Sequence, residues 1–194
     1  MDKPIIEFET GRLVVRSVQE GDKDEYMALR VQTSDISRAY STIEGFTEYE
    51  WENELNDSDD IYMSVFLKSD FVFVASASIQ NFKENSIYIG YDVKEEYRNM
   101  GIATELVIGL VKQAHSLFPE SKVLSRIRVD NDVSRKVTEQ CGGIIKGYED
   151  TYFAKQVKRM MSSRTYNQIK PENKKVLESI LLSGENGVCV YEMP

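Results

Sequence analysis

The stretch Arg98-Asn99-Met100-Gly101-Ile102-Ala103 stands where an alternating apolar run ends and a helical stripe begins. A helix N-terminus leaves four backbone N–H groups without intrahelical partners, and a small-residue turn ahead of it lets an anion approach them closely. Arg98, Asn99, Met100, Gly101, Ile102 and Ala103 therefore read as a cradle for a pyrophosphate, although an ordinary strand-to-helix turn shares these features. Two better-known cradles are excluded. A P-loop needs Gly-Lys-Ser/Thr, and Gly101 is followed by Ile102. A dinucleotide fingerprint needs three spaced glycines, and Gly101 stands alone here. Further on, Asn131 and Ser134 open a helix that Gly142-Gly143 closes. The single histidine, His115, lies late in a helix and reads as a surface residue. Zinc triads, HExxH sites and Ser-His-Asp triads are thereby excluded, and no metal site is expected.

The elements that position these residues follow from periodicity. Arg12–Val18 reads as a strand, and Asp22 with Glu25 as an N-cap and N3 pair opening a helix to about Val31. A polar loop is expected through Ser41. Thr47 and Glu50 form a capping box, with Phe46 and Trp51 as its hydrophobic staple. Ile61–Lys68, Phe71–Gln80 and Ser86–Val93 read as three consecutive strands of a meander. A broad apolar stripe then predicts a helix from Gly101 to Phe118, stopped by Pro119. A strand over Lys122–Val129, a helix over Asn131–Cys141 and a strand over Ile144–Tyr148 follow. Asp150–Ser163 is ambiguous, and Arg164–Ile169 is expected as the last core strand. Pro171 starts a C-terminal helix, and Gly187–Glu192 adds a short strand. The fold class is α/β (α+β): a mixed, mostly antiparallel central sheet of about six to seven strands flanked by helices.

Taken together, these segments resemble the GNAT superfamily of acetyl-CoA-dependent N-acetyltransferases. Arg98–Ala103 is similar to its R/Q-x-x-G-x-G/A motif, and Asn131–Gly143 to its second conserved segment. The opening Glu9-Thr10-Gly11-Arg12-Leu13-Val14-Val15-Arg16 and the later Ala103-Thr104-Glu105 are similar to the branch containing ribosomal-protein N-terminal acetyltransferases. The resemblance covers about residues 9–169, which sets residues 170–194 apart as a C-terminal extension. It implies a splayed pair of strands at the CoA site. It also implies that the backbone of Arg98–Ala103 holds the CoA pyrophosphate and that Val93 hydrogen-bonds the pantetheine arm. Asn131 would bond the pantetheine side, and Ser134 would lie near the thioester sulfur.

The implied reaction is direct transfer of acetyl from acetyl-CoA, as co-substrate, to a primary amine. The acceptor is a protein N-terminus or a small cationic amine. Two positions depart from the family pattern. Thr138 stands where a tyrosine often protonates the thiolate, and Tyr88 where a carboxylate often stands. Ser134, the nearest hydroxyl in the motif, takes the role of general acid. The base stays open between Asp92, Tyr88 through water, and a water chain. Glu105 reads as a structural helix residue. These departures leave a second reading: a catalytically degenerate acyl-CoA-binding or protein-interaction module of the same fold.

Composition bounds the setting. The chain has 194 residues, 32 acids against 24 bases and a formal net charge of -8. That acidity argues against a nucleic-acid partner. The whole excess lies between Glu44 and Asp60, a block of acids with no Lys or Arg. It reads as a solvated helix face with a dipole-favourable first turn, or as an electrostatic funnel for a cationic amine. Two distant cysteines, Cys141 and Cys189, and no apolar signal or membrane-length run predict a cytoplasmic protein. The apolar positions Val176, Leu177, Ile180 and Leu181 must bury somewhere, and a homodimer contact is one way to do so.

Overall fold

The computed structural model describes residues 3–150, 159, 161, 171, 174 and 187–194. The chain divides into two compact units, residues 1–124 with 193–194, and residues 125–192.

The first unit opens with β1 (Glu7–Glu9) and β2 (Leu13–Ser17), followed by α1 (Lys23–Thr33), α2 (Asp35–Tyr40) and α3 (Phe46–Asn56). Then come β3 (Ile61–Leu67), β4 (Phe73–Gln80), β5 (Ser86–Val93), α4 (Ile102–Leu117) and the start of β6 (Lys122–Arg128). The strand order is β1-β2-β3-β4-β5-β6. Every pair is antiparallel except β5 with β6, the parallel pair that the crossover helix α4 makes possible. The β5–β6 register runs from Ser86↔Lys122 to Tyr88↔Leu124 and ends there.

Period-two alternation sorts the strands into two faces. α4 packs against β1 and β5 and buries Ile102, Leu106, Leu110 and Ala114. On the opposite face, α1 and α3 join Phe66 and Phe73 in an aromatic cluster with Tyr26 and Trp51, whose ring centroids are 5.6 Å apart. That face also carries a polar row, because Arg16 pairs with Ser64, Ser64 with Ser76, and Ser76 with Asp92. Ser64 and Ser76 are buried.

The second unit holds the end of β6, α5 (Asp132–Gln140), β7 (Ile144–Asp150) and β8 (Gly187–Glu192). The order is β6-β8-β7, with β7 and β8 antiparallel. The expected strand at Gly187–Glu192 is therefore present, and the described strands number eight rather than six or seven. The strand expected over Arg164–Ile169 lies outside the described residues, as does nearly all of the C-terminal helix.

Four local expectations need correction. The segment before Ser41 is not all loop: α2 forms there, with Ser34 Oγ accepting from Ser37 N–H at 3.1 Å. Asp22 precedes α1 but does not cap it through its side chain. Its carboxylate is drawn inward to both Arg16 nitrogens at 2.7 Å and to Ser64 Oγ at 2.8 Å. The Thr47–Glu50 capping box does not form, because α3 already begins at Phe46 behind Gly45, whose φ of 79° is left-handed. Glu50 instead accepts from Ser37 Oγ at 2.7 Å. Finally, Phe71 falls outside β4, with a left-handed φ of 58° and an exposed side chain.

Among the described residues no helix is long and apolar enough to cross a membrane, and no His/Cys/Asp/Glu group could hold a metal ion.

Candidate active site

The cradle residues lie together between β5 and α4, in the first unit. Asn99 and Gly101 both adopt left-handed backbone, with φ of 61° and 76°. Gly101 is the N-cap of α4, and its conformation is one that glycine takes without a Cβ penalty. Left-handed residues just ahead of a helix turn successive N–H groups toward one point, which is the geometry of an anion nest.

Three residues outside the expected cradle hold it in shape. Arg12 Nη1 donates to Met100 O at 2.9 Å, and Arg12 Nε donates to Glu105 Oε2 at 2.6 Å. Glu105 Oε1 accepts from Thr10 Oγ1 and from Arg12 N–H, each at 2.6 Å. Burial raises the Glu105 carboxyl, but these hydrogen bonds outweigh it and hold the group below the ordinary glutamate range. Glu105 is thus engaged as a structural residue. The only hint of this clamp in sequence is that Thr10, Arg12 and Glu105 all lie in segments that resemble the family start and helix.

Val93 ends β5. Lys94 N–H donates to Val74 O on β4 at 2.9 Å. Because N–H directions alternate along a strand, the Val93 N–H and C=O point the other way, past the end of the β5–β6 register. Arg98 Nε donates to Val93 O at 3.2 Å, which ties the cradle to the strand end and leaves the N–H pointing away from β4.

The side chain before Val93 belongs to a charged cluster under α1. Arg30 Nε lies 2.9 Å from Glu54 Oε1, Nη2 lies 3.8 Å from Glu50 Oε1, and Nη1 lies 4.0 Å from Asp92 Oδ2. Burial pushes the Glu54 and Asp92 carboxyls above their usual range, against the pull of Arg30. Glu54 is 5% exposed and its Oε2 has no hydrogen-bond partner among the described residues. So two of the acids in the Glu44–Asp60 block, Glu50 and Glu54, face inward rather than forming a solvated face.

In the second unit, Asn131 caps α5, its Oδ1 accepting from Ser134 N–H at 3.1 Å. Gly142, with φ of 87°, ends the helix, and Gly143 N–H closes on Thr138 O at 2.9 Å. Asn131 is exposed, Ser134 half-buried, and Thr138 is 1% exposed. Thr138 is therefore a packed helix residue and not a tyrosine-like donor.

A family model described as an acetyltransferase (GNAT) domain matches residues 12–144. The chain belongs to the GNAT acetyltransferase family. No curated protein matches it. Among solved structures, a chimeric spermidine N-acetyltransferase from Vibrio cholerae and hSSAT aligns with TM-score 0.66 at 13% identity, covering 93% of this chain and 94% of that one. A ribosomal-protein-S5-alanine acetyltransferase from Vibrio fischeri aligns with TM-score 0.63 at 15% identity over 96% and 95%. A GNAT-family acetyltransferase from Bacillus anthracis aligns with TM-score 0.64 at 18% identity over 97% and 98%. At these identities the likeness establishes the GNAT fold.

Proposed function

We propose that this GNAT domain transfers an acetyl group from acetyl-CoA to a primary amine. The observation that carries the reading is the juxtaposition of a left-handed cradle at the N-terminus of α4 with the end of β5 at Val93, whose N–H points away from β4 past the last β5–β6 pair. The residues fit acetyl-CoA. The N–H groups of Arg98, Asn99, Met100, Gly101, Ile102 and Ala103 would take the pyrophosphate, where helix-terminal donors favour an anion. Val93 offers one outward N–H, which would serve the pantetheine arm or the acyl oxygen as charge develops on it. Asn131 keeps the pantetheine role that the resemblance gives it, and Ser134 the role of general acid. When bound, acetyl-CoA supplies an activated acyl group, so no covalent enzyme nucleophile is needed.

The acceptor is a protein N-terminus or a small cationic amine. Solved structures of this fold named for spermidine and for an alanine of a ribosomal protein support keeping both acceptors. Two free cysteines among the described residues suit a reducing, cytoplasmic setting. A second reading, a binding module without turnover, draws on one observation: the buried Thr138 replaces the usual donor.

Isothermal titration with acetyl-CoA, followed by thiol release with spermidine and with peptides beginning in Ser or Ala, tests both. Binding with amine-dependent thiol release is expected. Binding without release on any amine supports the module instead. Absence of acetyl-CoA binding overturns both.

A further inference from the structure

Asp92 is the last side chain of β5 before Val93, and it lies on the face covered by α1 and α3. Of the three carboxylates around Arg30 it is the most open, with 35% of its side chain accessible against 16% for Glu50 and 7% for Glu54. The adjacent Val93 N–H points away from β4, past the last β5–β6 pair. A carbonyl held by that N–H would sit beside the Asp92 carboxylate. Tyr88 lacks this placement, since it lies where β5 is still paired with β6.

We infer that Asp92 accepts the proton of the incoming amine, and that Arg30 is the positioning residue that aims it. The inference rests on the acetyltransferase reading. An alkylammonium must lose a proton before its nitrogen can attack. One proton passes from the ammonium to Asp92. The nitrogen then forms a bond to the acetyl carbon while the carbon–sulfur bond breaks; Ser134 gives its hydroxyl proton to the departing thiolate, and a second nitrogen proton replaces it on Ser134. The amide keeps the third hydrogen, and Asp92 returns its proton to water.

The cluster sets how readily Asp92 can do this. Arg30 and Thr33 face it from α1, and Arg98 from the loop after β5. Ser76 pairs with it on β4. Glu50 and Glu54 of α3 face it across Arg30. Arg30 is shared, and its closest contact is with Glu54, so its hold on Asp92 is partial. Burial meanwhile pushes the Asp92 carboxyl above its ordinary range, against the pull of Arg30, Thr33 and Arg98. Glu54 thereby acts as a competitor that keeps Arg30 from trapping Asp92 as a tight ion pair.

The test follows the Asp92 side-chain carboxyl by carbon-13 NMR in the protein alone, and kcat/KM against pH with acetyl-CoA and whichever of spermidine or the Ser- and Ala-peptides is acetylated. Asp92→Asn should lower kcat about a hundredfold, abolish the acidic limb and leave the acetyl-CoA Kd unchanged. Glu54→Gln should move the Asp92 midpoint and the acidic limb down together by about one pH unit, because Arg30 is freed for Asp92. The double variant Arg30→Met/Glu54→Gln, which removes the cation together with its closest partner, should move both back up. Arg30→Lys should retain most of the activity. An active wild type whose acidic limb survives Asp92→Asn, or whose limb ignores both cluster variants, overturns this inference alone. A wild type that acetylates none of the amines overturns the acetyltransferase reading and this inference with it.

Discussion

Arg12, on β2's approach, donates to the carbonyl oxygen of Met100, inside the cradle that precedes α4. The bond fixes a peptide whose neighbours, Asn99 and Gly101, both have left-handed backbone. It also turns that carbonyl dipole onto a guanidinium and away from an incoming anion. Arg12→Ala should therefore weaken acetyl-CoA binding about fivefold, the scale of one partly exposed charge-assisted hydrogen bond, while kcat at saturation stays within twofold. Titration calorimetry with acetyl-CoA reads the first quantity and steady-state kinetics the second.

Gly101 and Gly45 make a matched pair. Both have left-handed φ, 76° and 79°, and both precede helices. An alanine at either costs about 1–2 kcal/mol of backbone strain. At Gly45 the new Cβ meets nothing, and at Gly101 it meets only the flexible end of Arg12, 3.4 Å away. Gly45→Ala and Gly101→Ala should thus lower Tm by similar amounts. Only Gly101→Ala should also raise the acetyl-CoA Kd, by tenfold or more, which calorimetry on both variants checks.

Gly109 lies within α4, where alanine is ordinarily the better helix former. A Cβ there would stand 2.8 Å from Thr10 Cγ2 and 2.9 Å from Phe8 Cε2. Gly109→Ala should therefore destabilise the fold by about 1–3 kcal/mol, as overpacking does. Thermal unfolding should show a drop in Tm, and a rise would mean that β1 yields.

Asp22 links stability to pH. Burial raises its carboxyl, but hydrogen bonds from Arg16, Gln19 and Ser64 outweigh that and hold it below the ordinary aspartate value of 3.8. A folded-state pKa below the unfolded one adds stability above the unfolded value, and that stability is lost as pH falls through the folded value. Asp22→Asn should cost about 3 kcal/mol at pH 7, because Arg16 is left buried without its partner. Denaturant melts should show the gap from wild type shrinking below about pH 4.

The outward acids separate from the inward ones. Glu44, Glu48 and Glu52 are exposed, and Lys23 already pairs with Glu48. Neutralising all three to Gln should leave stability within about 0.5 kcal/mol and kcat/KM within twofold at every salt concentration. A salt-dependent loss of kcat/KM would show that this face steers a cationic amine.

What was legible in the sequence is what is local. The alternation of β3 to β5, the stripe of α4, the glycine end of α5 and the cradle itself all depend on neighbours a few residues apart. β1 escaped because Glu7–Phe8–Glu9 is too short to show a period. α2 escaped because its signal is a Ser34 cap on six residues with little apolar pattern. The capping box at Thr47 and the N-cap at Asp22 were sound local motifs that lost to distant partners, Ser37 and Arg30 for one and Arg16 and Ser64 for the other. The same holds for the site. Arg12 meets Met100, and Arg30 meets Asp92, only after the sheet has brought separate elements together.

The early end of the β5–β6 register leaves two kinds of amide on one strand. Lys94 N–H is spent on Val74 O, while the N–H of Val93 points away from β4, past the last β5–β6 pair. Adjacent amides should therefore exchange with deuterium at very different rates, slow at Lys94 and fast at Val93. A strand with neighbours on both sides in the sheet order thus carries, at Val93, the exchange behaviour of an unprotected margin.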